Sequence, residues 1–168
     1  MKKQIRQGVF ETNSSSMHAL VFKTKYKEDG DIKELGLPTV VDFSLNKYIE
    51  TDELDTSENR IMFLYNMVMC YGEKPDVITF LSVLDELGIK YILPKDGTEH
   101  QYCPSCDEIA ELILTSRTKL IQFICAYDVC YSTICDDCCS EEDVDKWFDE
   151  MLEKKNEEGA IYLRGEDR

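Results

Sequence analysis

Eight cysteines, two histidines and one serine-rich segment hold most of the chemistry available to this 168-residue chain. Cys103 and Cys106 form one C-x2-C pair and Cys135 and Cys138 a second, with the 28 residues 107–134 between them. Two thiolates separated by two residues in a tight turn can both reach one tetrahedral ion at about 2.3 Å, and a second such turn completes a closed, four-thiolate site. The expectation is therefore a structural zinc held by Cys103, Cys106, Cys135 and Cys138. Cys139 is an alternative to Cys138, and His100, three residues before Cys103, is an alternative to one thiol; Cys125 and Cys130 widen the choice further. The same thiols can also be read as buried and inert, as a redox pair with Cys106 at a helix N-terminus, or as iron–sulfur ligands, although the closely spaced ferredoxin pattern is missing.

The second chemical segment is Gly8-Val-Phe-Glu-Thr-Asn-Ser-Ser-Ser-Met-His-Ala-Leu20. It places Glu11, Thr12, Asn13, Ser14, Ser15, Ser16 and His18 within eight residues, and reads as a loop between two strands. Consecutive small polar residues in a concave turn present backbone N–H groups and hydroxyls that can hold a phosphate or carboxylate. Thr12 and Asn13, reinforced by Arg6 and Lys23, are thus candidate ligands for a small anion or nucleotide. His18 is a candidate general base toward Ser14, Ser15 or Ser16, with Glu11 to orient it. The plainer reading is a turn in which Asn and Ser bond their own backbone. No G-x-S-x-G elbow, Walker loop or H-E-x-x-H pattern is present, and His18 and His100 are too few for a metal hydrolase.

This N-terminal segment resembles the opening of a loosely defined set of small proteins carried by bacteriophages and mobile elements, mostly in Gram-positive bacteria. These begin with a basic run followed by Phe-Glu-Thr-Asn-Ser-Ser-Ser-x-His. The resemblance covers residues 4–22 and implies a phage-related origin without implying an activity.

Charge narrows the partners. Nineteen basic against 34 acidic residues give a net charge of −15. Phosphate contacts supply much of nucleic-acid affinity, so such a field argues against direct DNA or RNA binding and against an anionic membrane surface. The field is uneven: residues 1–27 hold six basic residues and one acid, leaving 13 basic and 33 acidic residues for the rest. Residues 136–158 are densest, with eleven acids and three lysines. That stretch reads either as a solvated helix face or as a surface for a basic partner. No run approaches the roughly 20 apolar residues of a membrane span, and the N-terminus lacks the apolar core of about 7–15 residues that marks a signal peptide. A cytoplasmic location is expected, where thiols are free or metal-bound rather than paired.

The elements that must position these groups follow from periodicity. Strands are expected at Gln4–Thr12, Ala19–Lys25, Thr39–Phe43, Lys90–Leu93, Leu120–Ala126 and Ile161–Leu163. Helices are expected over 58–71 with Ser57 as N-cap, from Pro75 to Leu87, over 106–116, and from Ser140, where Val144, Trp147, Phe148, Met151 and Leu152 recur at helical spacing. Residues 45–55 read as a loop. The chain is one domain's length on a scale of roughly 100–200 residues. The expected class is α+β: a single domain, residues 1–168, with a mostly antiparallel sheet and packed helices. Within it lie a basic strand-loop-strand at 1–27 and a cysteine-rich acidic part at 100–168 stapled by zinc. Two hypotheses result: an accessory protein that binds a host protein and interferes with nucleic-acid handling or defence, or a small enzyme or nucleotide-binding protein built on the serine-rich segment. The zinc expectation has a direct check. Elemental analysis of chelator-free protein should give about one zinc per chain, and joint Cys103→Ser, Cys106→Ser substitution should remove it.

Overall fold

The computed structural model of the chain describes residues 16–71, 73–95, 107–135 and 138–166. The expected strand at Gln4–Thr12 lies outside them. The centre of the fold is β1, Ser16–Thr24, which begins three residues earlier than its apolar run suggests. A short β2, Val40–Asp42, precedes helices α1, Ser57–Tyr71, and α2, Lys74–Glu86. Then follow β3, Lys90–Ile92, helices α3, Asp107–Leu114, and α4, Arg117–Ile124, the long strand β4, Ala126–Cys135, helix α5, Glu141–Lys155, and β5, Ala160–Glu166.

Local chemistry explains most boundaries. Helix α1 is capped by Thr56 rather than by Ser57: the Asn59 N–H donates to Thr56 Oγ1 at 3.1 Å, which satisfies one of the orphan donors of the first turn. Helix α2 carries Pro75 in its first turn and ends before Gly88, whose φ of +71° is cheap only for glycine. Helix α5 has a capping box, with the Asp143 N–H on Ser140 Oγ at 3.2 Å and the Ser140 N–H on the Asp143 carboxylate at 3.3 Å. The Ser140 hydroxyl, which donates to the same carboxylate at 2.6 Å, and then the Ser140 N–H hold the Asp143 carboxyl below its usual value. The stretch 45–55 is bent by 3-10 turns at Phe43–Leu45 and Thr51–Glu53. Its carbonyl at Lys47 is tied to α1 by the buried Asn66 side-chain amide at 3.0 Å.

One expected strand is a helix. Leu120–Ala126 falls mostly in α4, where Ser116 caps the N-terminus and Leu120, Ile121, Phe123 and Ile124 are buried. Buried positions at i, i+1, i+3 and i+4 fit one helical face, and a short apolar run cannot be separated from a strand by periodicity alone. The strand of this region is the more polar β4 that follows.

The larger sheet has the order β4-β1-β5 and is antiparallel throughout. A separate pair, β2 and β3, is parallel. Because side chains alternate along a strand, β1 divides its residues between two layers. Leu20 and Phe22 enter the main core, shared with α1, α2, α3 and α4. Met17 and Ala19 face α5 and pack with Trp147 and Met151. Next to the main core, Phe43 stacks on Tyr65 with ring centroids 4.0 Å apart and approaches Phe80 and Tyr91. The result is an α+β protein in which the central strand is covered on both faces. No helix among the described residues is long and apolar enough to cross a membrane.

Candidate functional site

The end of the serine-rich motif is part of the sheet. Ser16, Met17 and His18 are strand residues that face Cys135, Ile134 and Thr133 of β4. His18 is therefore not a loop residue, and it is only 3% exposed. Alternation along β1 puts its ring on the same side as Leu20 and Phe22, toward the main core. Its Nδ1 is hydrogen-bonded to the Tyr131 hydroxyl at 2.9 Å, with the rings tilted at 6.1 Å between centroids. A general base must reach the proton that it abstracts; an imidazole held here joins two strands instead. Glu11, Thr12, Asn13, Ser14, Ser15 and Arg6 lie outside the described residues.

Lys23 sits apart from that end of the strand. It is seven residues beyond Ser16, about 23 Å at roughly 3.3 Å per residue. Its ammonium pairs with Glu157 at 2.5 Å and lies 3.8 Å from Asp128. The hydrogen bond raises the Lys23 pKa above its ordinary value and holds Glu157 below its own. This lysine links β1 to β4 and to the end of α5, and it does not share one anion with Ser16.

Of the four expected metal ligands, Cys135 and Cys138 are described and Cys103 and Cys106 are not. Cys135 ends β4, and the Cys139 N–H returns to the Cys135 carbonyl at 3.0 Å shortly before α5. Cys138 is exposed; Cys135 and Cys139 are half-buried. Among the described residues no group of three or more His, Cys, Asp or Glu side chains is arranged to hold a metal. The described part of the chain thus offers the second thiol pair alone. Cys125 sits at the α4–β4 junction rather than inside a strand, and burial pushes its thiol up to about 11. It belongs to the inert class.

The most unusual side chain was not a sequence candidate. Arg60, in α1, is only 2% exposed. Its Nη1 donates to the Leu54 carbonyl at 2.8 Å, its Nη2 to Ala126 at 2.5 Å and to Ile124 at 3.3 Å, and its Nε also to Ile124 at 3.3 Å. The carbonyls at the end of α4 are orphans of the helix and carry its negative end, so a guanidinium is well matched to them. Desolvation still lowers the Arg60 pKa to about 10, against the opposing attraction of Cys125 and Asp55. A signal was available: Arg60 falls four and seven residues before Leu64 and Met67, on the buried face of α1. One open groove of about 230 Å³ lies between Lys25–Lys27 and the turn at Ile32–Leu35, lined by both signs of charge. It is smaller than the roughly 300–1,000 Å³ of ligand pockets.

Taken together these groups define a layered α+β protein in which His18, Lys23 and Arg60 brace the fold. Comparison with known proteins gives no match to this chain among family models, curated proteins or solved structures.

Two measurements check this assignment. Arg60→Met removes the guanidinium bonds to the carbonyls of three buried residues and should cost about 3 kcal/mol or more in urea unfolding at neutral pH. Arg60→Lys should recover only part of that, because an ammonium lacks the planar fork; a loss within about 0.5 kcal/mol for the methionine variant would show the contacts to be incidental. For Cys125, the folded thiol keeps its proton to about pH 11 while the unfolded one loses it near pH 9. The folded state binds the extra proton in that window, so stability falls as pH rises through it, by about 1.4 kcal/mol per unit at most. Arg60, lowered toward 10, acts in the opposite sense above that pH. The difference in unfolding free energy between wild type and Cys125→Ala should therefore move between pH 8.5 and 10, against the wild type.

Proposed function

We propose that this chain is a phage- or mobile-element-type accessory protein that acts in the cytoplasm by binding a host protein, with interference in nucleic-acid handling or defence as the consequence. The observation that supports binding is the two-sidedness of α5. Trp147 and Met151 are buried against the sheet, and Trp147 Nε1 donates to Ser132 Oγ at 2.8 Å. Glu141, Glu142, Asp145, Asp149, Glu150 and Glu153 are exposed on the same helix, which is thus seated by its apolar face and presents a fixed acidic one. Lys146 and Lys155 are exposed on it too, Lys146 lying 3.9 Å from Glu150, so the face is predominantly acidic, and such a surface attracts a basic partner and speeds its encounter. The resemblance of the N-terminal motif supplies the proposed origin.

A structural zinc on Cys103, Cys106, Cys135 and Cys138 remains part of this reading, supported by the C-x2-C spacing of the two pairs and by the Cys139 N–H on the Cys135 carbonyl. Its role would be to pin the start of α5 to the segment before α3. The alternative, an enzyme or nucleotide site on Glu11–Ser16, is weakened by the burial of His18 and by the ion pairs of Lys23.

The test is affinity capture from a Gram-positive host lysate with the full chain and with the triple variant Asp145→Lys, Asp149→Lys, Glu150→Lys, which spares the capping residues Ser140 and Asp143. A specific host protein should be retained by the wild type, be lost by about tenfold in the variant, and weaken as salt shortens the screening length to about 8 Å or less. Equal capture by both chains would remove the acidic helix from the interface.

A further inference from the structure

Among the described residues strand β4 is an edge of the larger sheet, and its outer side has the character of a docking edge. It is the longest strand, and no strand among the described residues lies beyond it. Its ten residues carry a single charge, Asp128, and neither lysine nor proline. Of the devices that usually blunt an edge, lysine, proline and shortness are absent; the register shift falls at Tyr127, and from Asp128 to Cys135 the strand pairs regularly with β1. The other edge, β5, lies against α3. Near its start β4 also presents Tyr127, which is 55% exposed, an aromatic suited to a cross-strand pair.

The surroundings of this stretch are acidic. The turn Thr51–Glu53 packs beside β4, and the Arg60 guanidinium ties Leu54 and Ala126 to one point. Asp52, Glu53 and Asp55 are exposed there, and the Asp128 side chain is 61% exposed. We propose that the edge Tyr127–Cys130 receives an extended, basic segment of a partner protein by strand addition, in which backbone bonds give affinity and the flanking acids select the charge. A second copy of the chain is a poorer occupant, because two-fold pairing of this edge would bring both acidic flanks together in a molecule of net charge −15. The proposal rests on the binding function above and names the chemistry of the partner.

The experiment is amide hydrogen exchange on the full chain with three synthetic ten-residue probes: alternating Lys and Val, the same with Glu for Lys, and the Lys form interrupted by Pro. The basic probe should slow exchange at Tyr127–Cys130 by tenfold or more, and the acidic and Pro-interrupted probes should not. Asp52→Lys with Asp128→Asn should weaken the basic probe about tenfold without changing the melting temperature. Protection elsewhere, or none, overturns the proposal. So does an edge already protected in the free chain, with light scattering then distinguishing a second copy from cover by the chain's own residues 1–15. These variants leave α5 untouched, so loss of probe binding with intact α5-dependent capture sinks the edge alone.

Discussion

The buried guanidinium of Arg60 is the constraint around which the larger core is arranged. It gathers the carbonyls of Leu54, Ile124 and Ala126, three places where the chain changes from one element to another. The turn before α1, the end of α4 and the start of β4 are thereby fixed to a single helix. Loss of the guanidinium would cost about 1–3 kcal/mol for each carbonyl left buried and unpaired. The same contact closes α4 and allows β4 to begin at once, so that the sheet meets its helices without an intervening loop. A charge in this position is maintained by dipoles more than by an opposite charge, and the depression of its pKa to about 10 measures how dry the site is.

A second constraint is the division of labour within β1. One face of the strand completes the main core through Leu20 and Phe22, and the other seats α5 through Met17 and Ala19. His18 is accommodated on the main-core side because Tyr131, diagonally across in β4, supplies a hydroxyl for its ring. The conspicuous polar motif therefore ends inside the most buried strand. That is why a segment that resembles a catalytic loop in composition offers bracing instead of an accessible base. Lys23, at the other end, is occupied in holding the last turn of α5 by way of Glu157.

The elements most legible in the amino-acid order were those with caps and clear periodicity. Helix α5 announces itself through Ser140, Asp143 and the Trp147–Met151 face, and α2 through Pro75 and Gly88. The α4 stretch was misread because Leu120–Ala126 is apolar enough for either structure, and only Ser116 four residues earlier favours the helix. Strand β4 was missed for the opposite reason: Tyr127, Asp128, Ser132 and Thr133 interrupt its apolar residues, as suits an edge. The parallel pairing of β2 with β3 was invisible, since pairing direction is set by the path of α1 and α2 between them. Of the candidate metal site, Cys135 and Cys138 lie among the described residues and Cys103 and Cys106 do not. The burial of His18 depended on a strand beginning earlier than the apolar run, and the role of Arg60 on carbonyls 64 and 66 residues away, which no local pattern encodes.

The position of β1 between β4 and β5 has a kinetic meaning. Ser16 pairs with Cys135 and Met17 with Glu166, so the strand waits for partners made 119 and 149 residues later. Contacts so distant along the chain must be formed against the entropy of closing long loops, and they slow folding. During synthesis at about 5–20 residues per second, β1 would remain an apolar strand with both faces and both edges unsatisfied. Its maturation thus waits for β5, and a nascent chain of this kind is a natural client for chaperones until that strand arrives.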